Sequence, residues 1–306
     1  MRNAFAQELT ALAKEESRLV FLSGDIGNKL FDAFKAECPN RFYNCGVAEQ
    51  NMMGVAAGLA KSGLRPIVYT ITPFVTTRCY EQIRVDVCYH NLPVIIAGVG
   101  SGLSYATLGP THHSLEDIAF LRALPEMTVL CPGDAMEVRA CLRAALKHSG
   151  PVYLRLGKKG EPVIHKEVPK VTIGRALEIQ RGKDICLLST GNILPLAVDA
   201  ANSLADSRLS VQVFSFHTVK PLDTGVLEEV LAKYPLVVTL EEHGLLGGFG
   251  SAVAEWRADH PESKARLLRF GTRDEFMHSN GDQDFARAYF GLTRENICKK
   301  IMEVYK

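Results

Sequence analysis

The stretch Tyr43-Asn44-Cys45-Gly46-Val47-Ala48-Glu49-Gln50-Asn51-Met52, continuing through Met53-Gly54-Val55-Ala56-Ala57-Gly58-Leu59-Ala60, sets one carboxylate at the start of a helix whose later turns are small and apolar. Two explanations fit Glu49. An acid at a helix N-terminus complements the helix dipole by about 0.3 to 1 kcal/mol and needs no further role. A helix rich in Gly and Ala, however, packs closely against something and takes the carboxylate out of water. In that setting a carboxyl can hold and pass a proton.

A second constellation, Thr107-Leu108-Gly109-Pro110-Thr111-His112-His113-Ser114-Leu115-Glu116-Asp117, follows an apolar run and Gly100-Ser101-Gly102. Polar loops at the C-terminal ends of strands are where open α/β sheets bind ligands. His112 and His113 are therefore either solvated loop residues or donors and acceptors for a substrate's oxygens. Lys29, in Gly24-Asp25-Ile26-Gly27-Asn28-Lys29, and Lys158, in Arg155-Leu156-Gly157-Lys158, are each an ordinary surface charge or, taken together, a grip on an anionic tail. Phe74 is a core aromatic or a stacking face for a flat ring, and a phenyl face brings no polar group to satisfy. Asp25 could be no more than part of a strand-ending turn.

These residues need a scaffold, and the hydropathy pattern supplies one. Short apolar, β-branched runs, 19–22, 66–69, 93–97, 128–130 and 151–154, alternate with helical patterns over 48–62, 77–89 and 135–148. Strands apolar on both faces and separated by helices imply a parallel sheet covered on each side. The alternation breaks at Gly157-Lys158-Lys159-Gly160-Glu161-Pro162 and resumes at 185–188, with further strands at 211–214, 236–240 and 266–270 and helices at 194–205, 223–233, 250–259 and 294–305. We expect an α/β protein of two doubly wound domains, residues 1–160 and 184–306, joined by a charged, proline-containing linker at 161–183.

The 306 residues suffice for two buried cores. With 47% hydrophobic and 23% charged residues the chain is globular rather than disordered. A formal charge of +1 gives no global pull toward nucleic acid or an anionic membrane. None of the eight cysteines forms a Cys-x-x-Cys pair, and most lie in apolar runs, which reads as reduced core thiols in a cytoplasmic protein. No dedicated metal-ligand spacing is present. The Gly-rich run Gly244-Leu245-Leu246-Gly247-Gly248-Phe249-Gly250 has neither a P-loop lysine nor dinucleotide spacing and reads as tight packing.

The run Gly46-Val47-Ala48-Glu49-Gln50-Asn51-Met52 resembles the pyrimidine-domain signature of transketolases and deoxyxylulose phosphate synthases. Gly109-Pro110-Thr111-His112, with Pro125-Glu126-Met127 beyond it, is similar to the transketolase loop over the reacting carbon. His217 to Asp223 and Glu241 to Val253 resemble the last domain of that superfamily, so the likeness runs over nearly the whole chain. It implies thiamine diphosphate as cofactor, with Glu49 on the aminopyrimidine ring. A carboxyl sharing a proton with the ring nitrogen favours the imino tautomer, whose exocyclic nitrogen can take the thiazolium proton. The same likeness implies that His112 and His113 bind substrate and that Phe74 stacks on the pyrimidine. It sets Asp25 near the cofactor and the dimer interface, Tyr80 and Gln82 among the cofactor-binding residues near the pocket, and Arg78 among those that bind substrate. Lys29 and Lys158 fall near phosphate-binding positions. Gly100 stands where the family often has an assisting histidine, and Leu108 where ordinary transketolases carry an aspartate for a substrate hydroxyl. A leucine there implies a ligand less hydroxylated at that carbon, or turned differently.

Full-length transketolases carry ahead of this region a Gly-Asp-Gly motif and an asparagine that hold metal and diphosphate, and no such pair occurs here. We therefore expect one subunit of a split enzyme, in an α₂β₂ heterotetramer. A partner subunit would hold the diphosphate and its magnesium or calcium, and a sugar or sugar phosphate would be the substrate. The main rival is the β subunit of a 2-oxo acid dehydrogenase, which has the same domain order. A third reading is a non-catalytic subunit that kept the fold.

Overall fold

A computed structural model describes residues 1–305. The first sheet takes β1 (Leu19–Ser23), β2 (Phe42–Asn44), β3 (Arg65–Ile71), β4 (Ile95–Val99), β5 (Thr128–Leu130) and β6 (Val152–Leu156). The second takes β7 (Leu177–Gln180), β8 (Ile185–Thr190), β9 (Val211–Ser215), β11 (Leu236–Gly244) and β12 (Arg266–Thr272), while β10 (Thr218–Lys220) crosses back to the first. The strand orders are β10-β5-β6-β4-β3-β1-β2 and β12-β11-β8-β9-β7. All pairings are parallel except β10 on β5 and β7 on β9, both at sheet edges.

The central strands β1, β4, β6 and β8 are buried at every residue, which is why they read as unbroken apolar runs. Alternate residues of one strand serve two cores. Val20 and Leu22 pack with Met52, Met53 and Val68, whereas Leu19 and Phe21 pack with Phe5, Phe31 and Tyr69. Helices Ala135–Lys147, Thr224–Lys233 and Gln283–Tyr289 begin at Asp134, Asp223 and Asp282, whose side chains accept backbone N–H bonds from the first turn.

Three expectations change. The segment 77–89 is not one α-helix but a 3₁₀ turn, a short α turn and a π-helical stretch at Ile83–Cys88. Leu177–Gln180, inside the stretch read as linker, is an edge strand of the second sheet. Residues 218–220 lie in the segment assigned to the second domain but pair antiparallel with β5 of the first, so the boundary is interleaved. Leu177–Gln180 is partly exposed and residues 218–220 number only three, so neither strand has an apolar run to announce it.

Candidate active site

Every sequence-predicted site residue lies on a segment that follows the C-terminal end of a strand of the first sheet. Asp25 and Lys29 follow β1, Glu49 follows β2, Phe74 to Gln82 follow β3, His112 and His113 follow β4, and Lys158 follows β6. Parallel strands aim their ends at one edge, so residues far apart in sequence meet there.

Glu49 opens the helix Glu49–Lys61 and is 3% exposed. Its Oε2 accepts a 2.8 Å hydrogen bond from Arg78 Nη1. The Arg78 guanidinium also lies 4.3 Å from the centre of the Phe74 ring. Phe74 meets the His112 ring edge-on at 5.3 Å, His112 meets Tyr105 at 6.4 Å, and Lys158 Nζ stands 4.9 Å from the Tyr105 ring centre. One ribbon of contacts thus runs from the buried carboxylate to the lysine and joins Glu49, Arg78, Phe74, His112 and Lys158. Tyr105, which no motif marked, is its missing member.

His112 is half-buried, and burial lowers its pKa, so its imidazole is neutral near pH 7. Its Nδ1 lies 2.9 Å from Thr111 Oγ1, which leaves Nε2 for another partner. The Tyr105 ring explains Gly100: a Cβ at that position would come within 1.9 Å of it, and φ there is +81°. An aromatic ring therefore fills the space a side chain at 100 would need. Leu108 is exposed, in the turn Ala106–Leu108 beside this ribbon's loop.

The remaining predicted residues sit outside the ribbon. Asp25 adopts φ +58° and accepts a 2.8 Å bond from Asn44 Nδ2, while Asn44 Oδ1 accepts from Gly46 N at 2.9 Å. This brace ties the β1 turn to the turn that presents Glu49. Tyr80 turns toward Phe120, donating to its carbonyl at 3.3 Å. Gln82 is half-buried, with Oε1 lacking a hydrogen-bond partner among the described residues. His113 is buried and lines a cavity between the domains with Gly244 and Thr272, away from Phe74. Lys29 is exposed on the turn Asn28–Phe31.

The residues fit the pyrimidine end of thiamine diphosphate. Arg78 shows that the space between carboxylate and phenyl accepts a flat, N–H-donating group, which an aminopyrimidine becomes when its ring nitrogen holds a proton. Thr70 Oγ1, buried beside Gly24 and Glu49, has no partner among the described residues and could take another hydrogen bond. No group of three or more His, Cys, Asp or Glu among the described residues is arranged to hold a metal ion.

The tight packing read from the Gly/Ala-rich helix holds for one face only. Ala56, Ala57 and Ala60 are buried, but a Cβ at Gly54 or Gly58 would touch nothing within 4 Å. With Val47 at 76% exposure and Val55 at 42%, the outer face beside Glu49 is rich in small and apolar residues, with Asn51 exposed among them.

Known proteins place the chain in a family. The family described as "Transketolase, pyrimidine binding domain" matches residues 1–161, and "Transketolase, C-terminal domain" matches 174–297. The chain is 35% identical to a 6-deoxy-6-sulfo-D-fructose transketolase subunit of a Clostridium species, covering 99% of this chain and 94% of that protein. It is 32% identical to one of the subunits of the apulose-4-phosphate transketolase of Phocaeicola vulgatus, covering 100% and 97%. A solved structure described as a split-gene transketolase, inactive β4 tetramer, superposes with a TM-score of 0.89 at 33% identity, covering 99% of this chain and 96% of that one. These relatives fall on the transketolase side of the two catalytic readings. With both family descriptions matched in order over nearly its whole length, the chain belongs to the transketolase family, as a thiamine-diphosphate-dependent transferase subunit that combines the pyrimidine-binding and C-terminal domains.

Proposed function

We propose that this chain supplies the proton-handling and substrate-facing half of a two-carbon ketol transfer from a ketose to an aldehyde. A separate subunit would grip the cofactor's diphosphate with magnesium or calcium, in an α₂β₂ assembly. The observation that carries the reading is the ribbon from buried Glu49 through Phe74 to neutral His112.

Bound thiamine diphosphate supplies the nucleophilic carbon and the electron sink for the transferred unit. Glu49 holds and returns a proton at the pyrimidine ring nitrogen, and its burial keeps water from competing. Phe74 offers its face to the ring, once Arg78 has yielded or shifted. His112, uncharged, hydrogen-bonds the substrate's oxygens where negative charge develops. Lys158 and Lys29 attract an anionic tail on the sugar, and His113 backs the His112 loop. Asp25, Tyr80 and Gln82 shape the cofactor side, Asp25 by bracing the Glu49 turn through Asn44. The face bearing Val47, Gly54, Val55 and Gly58 is where the diphosphate-binding subunit would dock. Eight unpaired thiols, six of them buried, suit the reducing cytoplasm.

Reconstitution tests the proposal. The purified chain should be inactive alone and should transfer a ketol unit only when mixed with a diphosphate-binding subunit, thiamine diphosphate and magnesium. Tight cofactor binding and turnover by the chain alone would overturn it.

A further inference from the structure

Behind the His112 loop lies a fully buried carboxylate from the other domain. Glu242, near the end of β11, is 0% exposed. Its Oε1 accepts a 2.7 Å bond from the backbone N–H of Leu103, which lies 139 residues earlier in the chain, on the loop between β4 and His112. The same carboxylate accepts from Gln283 Nε2 at 2.9 Å and from Arg287 Nε at 2.6 Å, so its charge is paired on its own side of the interface. Its backbone carbonyl accepts a 3.0 Å bond from Arg155 Nη2, which also donates to the Ser114 carbonyl at 2.9 Å. Gly244 N donates to Leu115 O at 2.8 Å. Gly102, at φ +61°, has no room for a side chain, since a Cβ would stand 2.6 Å from Glu242 Oε1.

The stretch 101–115 is thus held at both of its ends. Leu103 is tied to the Glu242 carboxylate, Ser114 and Leu115 to the backbone at 242–244, and the ends to each other by Ser114 N to Gly102 O at 3.0 Å. Between those ties the loop carries Tyr105 and His112. A charged acceptor on a backbone N–H is shorter and about twice as strong as a neutral one, so the Leu103 tie is the stiff one.

We infer that Glu242 is a positioning residue: the C-terminal domain acts in catalysis by clamping the loop that holds His112. The inference rests on the reading of His112 as a substrate contact.

The test uses the reconstituted pair carrying Glu242→Gln, with Gly102→Ala as a second variant that pushes a methyl against the same carboxylate from the loop side. Amide hydrogen exchange of the 101–115 segment should quicken about tenfold in either variant, while the Glu49–Lys61 helix exchanges as in the parent. A displaced loop should lower kcat by roughly ten- to a hundred-fold, with the KM for thiamine diphosphate unchanged. A merely structural role would instead lower the apparent kcat only in proportion to the folded fraction, leaving the kcat per folded molecule at the parental value. Unchanged loop exchange in a folded variant overturns the inference, and so does quickened exchange with parental kcat. An inactive parent pair whose variants still show quickened loop exchange would sink the transketolase reading and leave the clamp standing.

Discussion

Arg78 donates a 2.8 Å hydrogen bond to the buried carboxylate of Glu49 while its guanidinium rests on the Phe74 ring. An acid that only complemented its helix would have no need of a cation from another segment. The pairing leaves Glu49 oriented and shielded, but not buried beyond reach, because the Arg78 side chain is 43% exposed and can move.

Replacing Glu49 with Gln keeps the shape and removes the exchangeable proton. Turnover of the reconstituted pair should fall by about a hundred- to ten-thousand-fold, while assembly with the partner, read by size-exclusion chromatography, stays intact. Undiminished turnover would refute the assigned proton role.

Leu108 tests substrate choice. Its side chain is 51% exposed, so Leu108→Asp should change stability by no more than about 0.5 kcal/mol. An aspartate there can accept a hydrogen bond from a sugar hydroxyl, a contact worth roughly 1 kcal/mol or more when shielded. The ratio of kcat/KM for a more hydroxylated donor over a less hydroxylated one should rise about tenfold, the factor that 1.4 kcal/mol represents. An unchanged ratio across a panel of ketoses would separate position 108 from specificity.

Much of this was legible in the sequence, for a physical reason. β1, β4, β6, β8, β9 and β11 are buried throughout or nearly so, and burial on both faces writes itself as an apolar run. Glu49 and His112 stood out because their neighbours form recognisable motifs. β2, β7 and β10 were missed because strands of three or four residues at a sheet edge need few apolar side chains. Tyr105 in the space beside Gly100, Arg78 on Glu49 and Glu242 on Leu103 depend on tertiary approach, which leaves no periodic trace. The open space at Gly54 and Gly58 was hidden for a related reason: small residues allow a close approach on any face of a helix, and the sequence does not say which face is used.

The interior pair Asp117–Arg155 offers a stability test. Arg155 Nε donates to Asp117 Oδ2 at 2.7 Å, and Tyr153 donates to the same oxygen at 2.5 Å, with both ions almost wholly buried. Burial alone would push the Asp117 carboxyl up, but the Arg155 and His243 charges and these hydrogen bonds hold it below the ordinary range. Asp117→Asn leaves Arg155 buried without a counter-ion and should destabilise the protein by about 3 to 5 kcal/mol. Because Arg155 also supports Ser114, activity should fall even in the fraction that remains folded. A thermal midpoint within a degree of the parent would show that the pair contributes little.

A second buried cluster makes stability depend on pH. Asp134 caps the Ala135–Lys147 helix and also accepts from the backbone and ring of His165, in the segment joining the domains. Burial opposes its ionisation, but these hydrogen bonds prevail and bring it down to about 2. Its contribution is therefore complete above the unfolded value of 3.8 and is lost as pH falls toward 2. Glu137, 3.7 Å from His165 Nε2, is raised by burial to about 7. His165 is raised too, because the Asp134 hydrogen bond and the Glu137 and Asp134 charges outweigh its burial. Groups raised on folding stabilise fully below their unfolded values and lose that contribution as pH rises through the folded ones. This cluster is then strongest in mild acid, between the range that protonates Asp134 and the range that empties Glu137 and His165. The gap in thermal midpoint between the parent and His165→Gln should be wider at pH 5 than at pH 8.5. A gap that does not vary with pH would remove His165 from the pH-sensitive cluster.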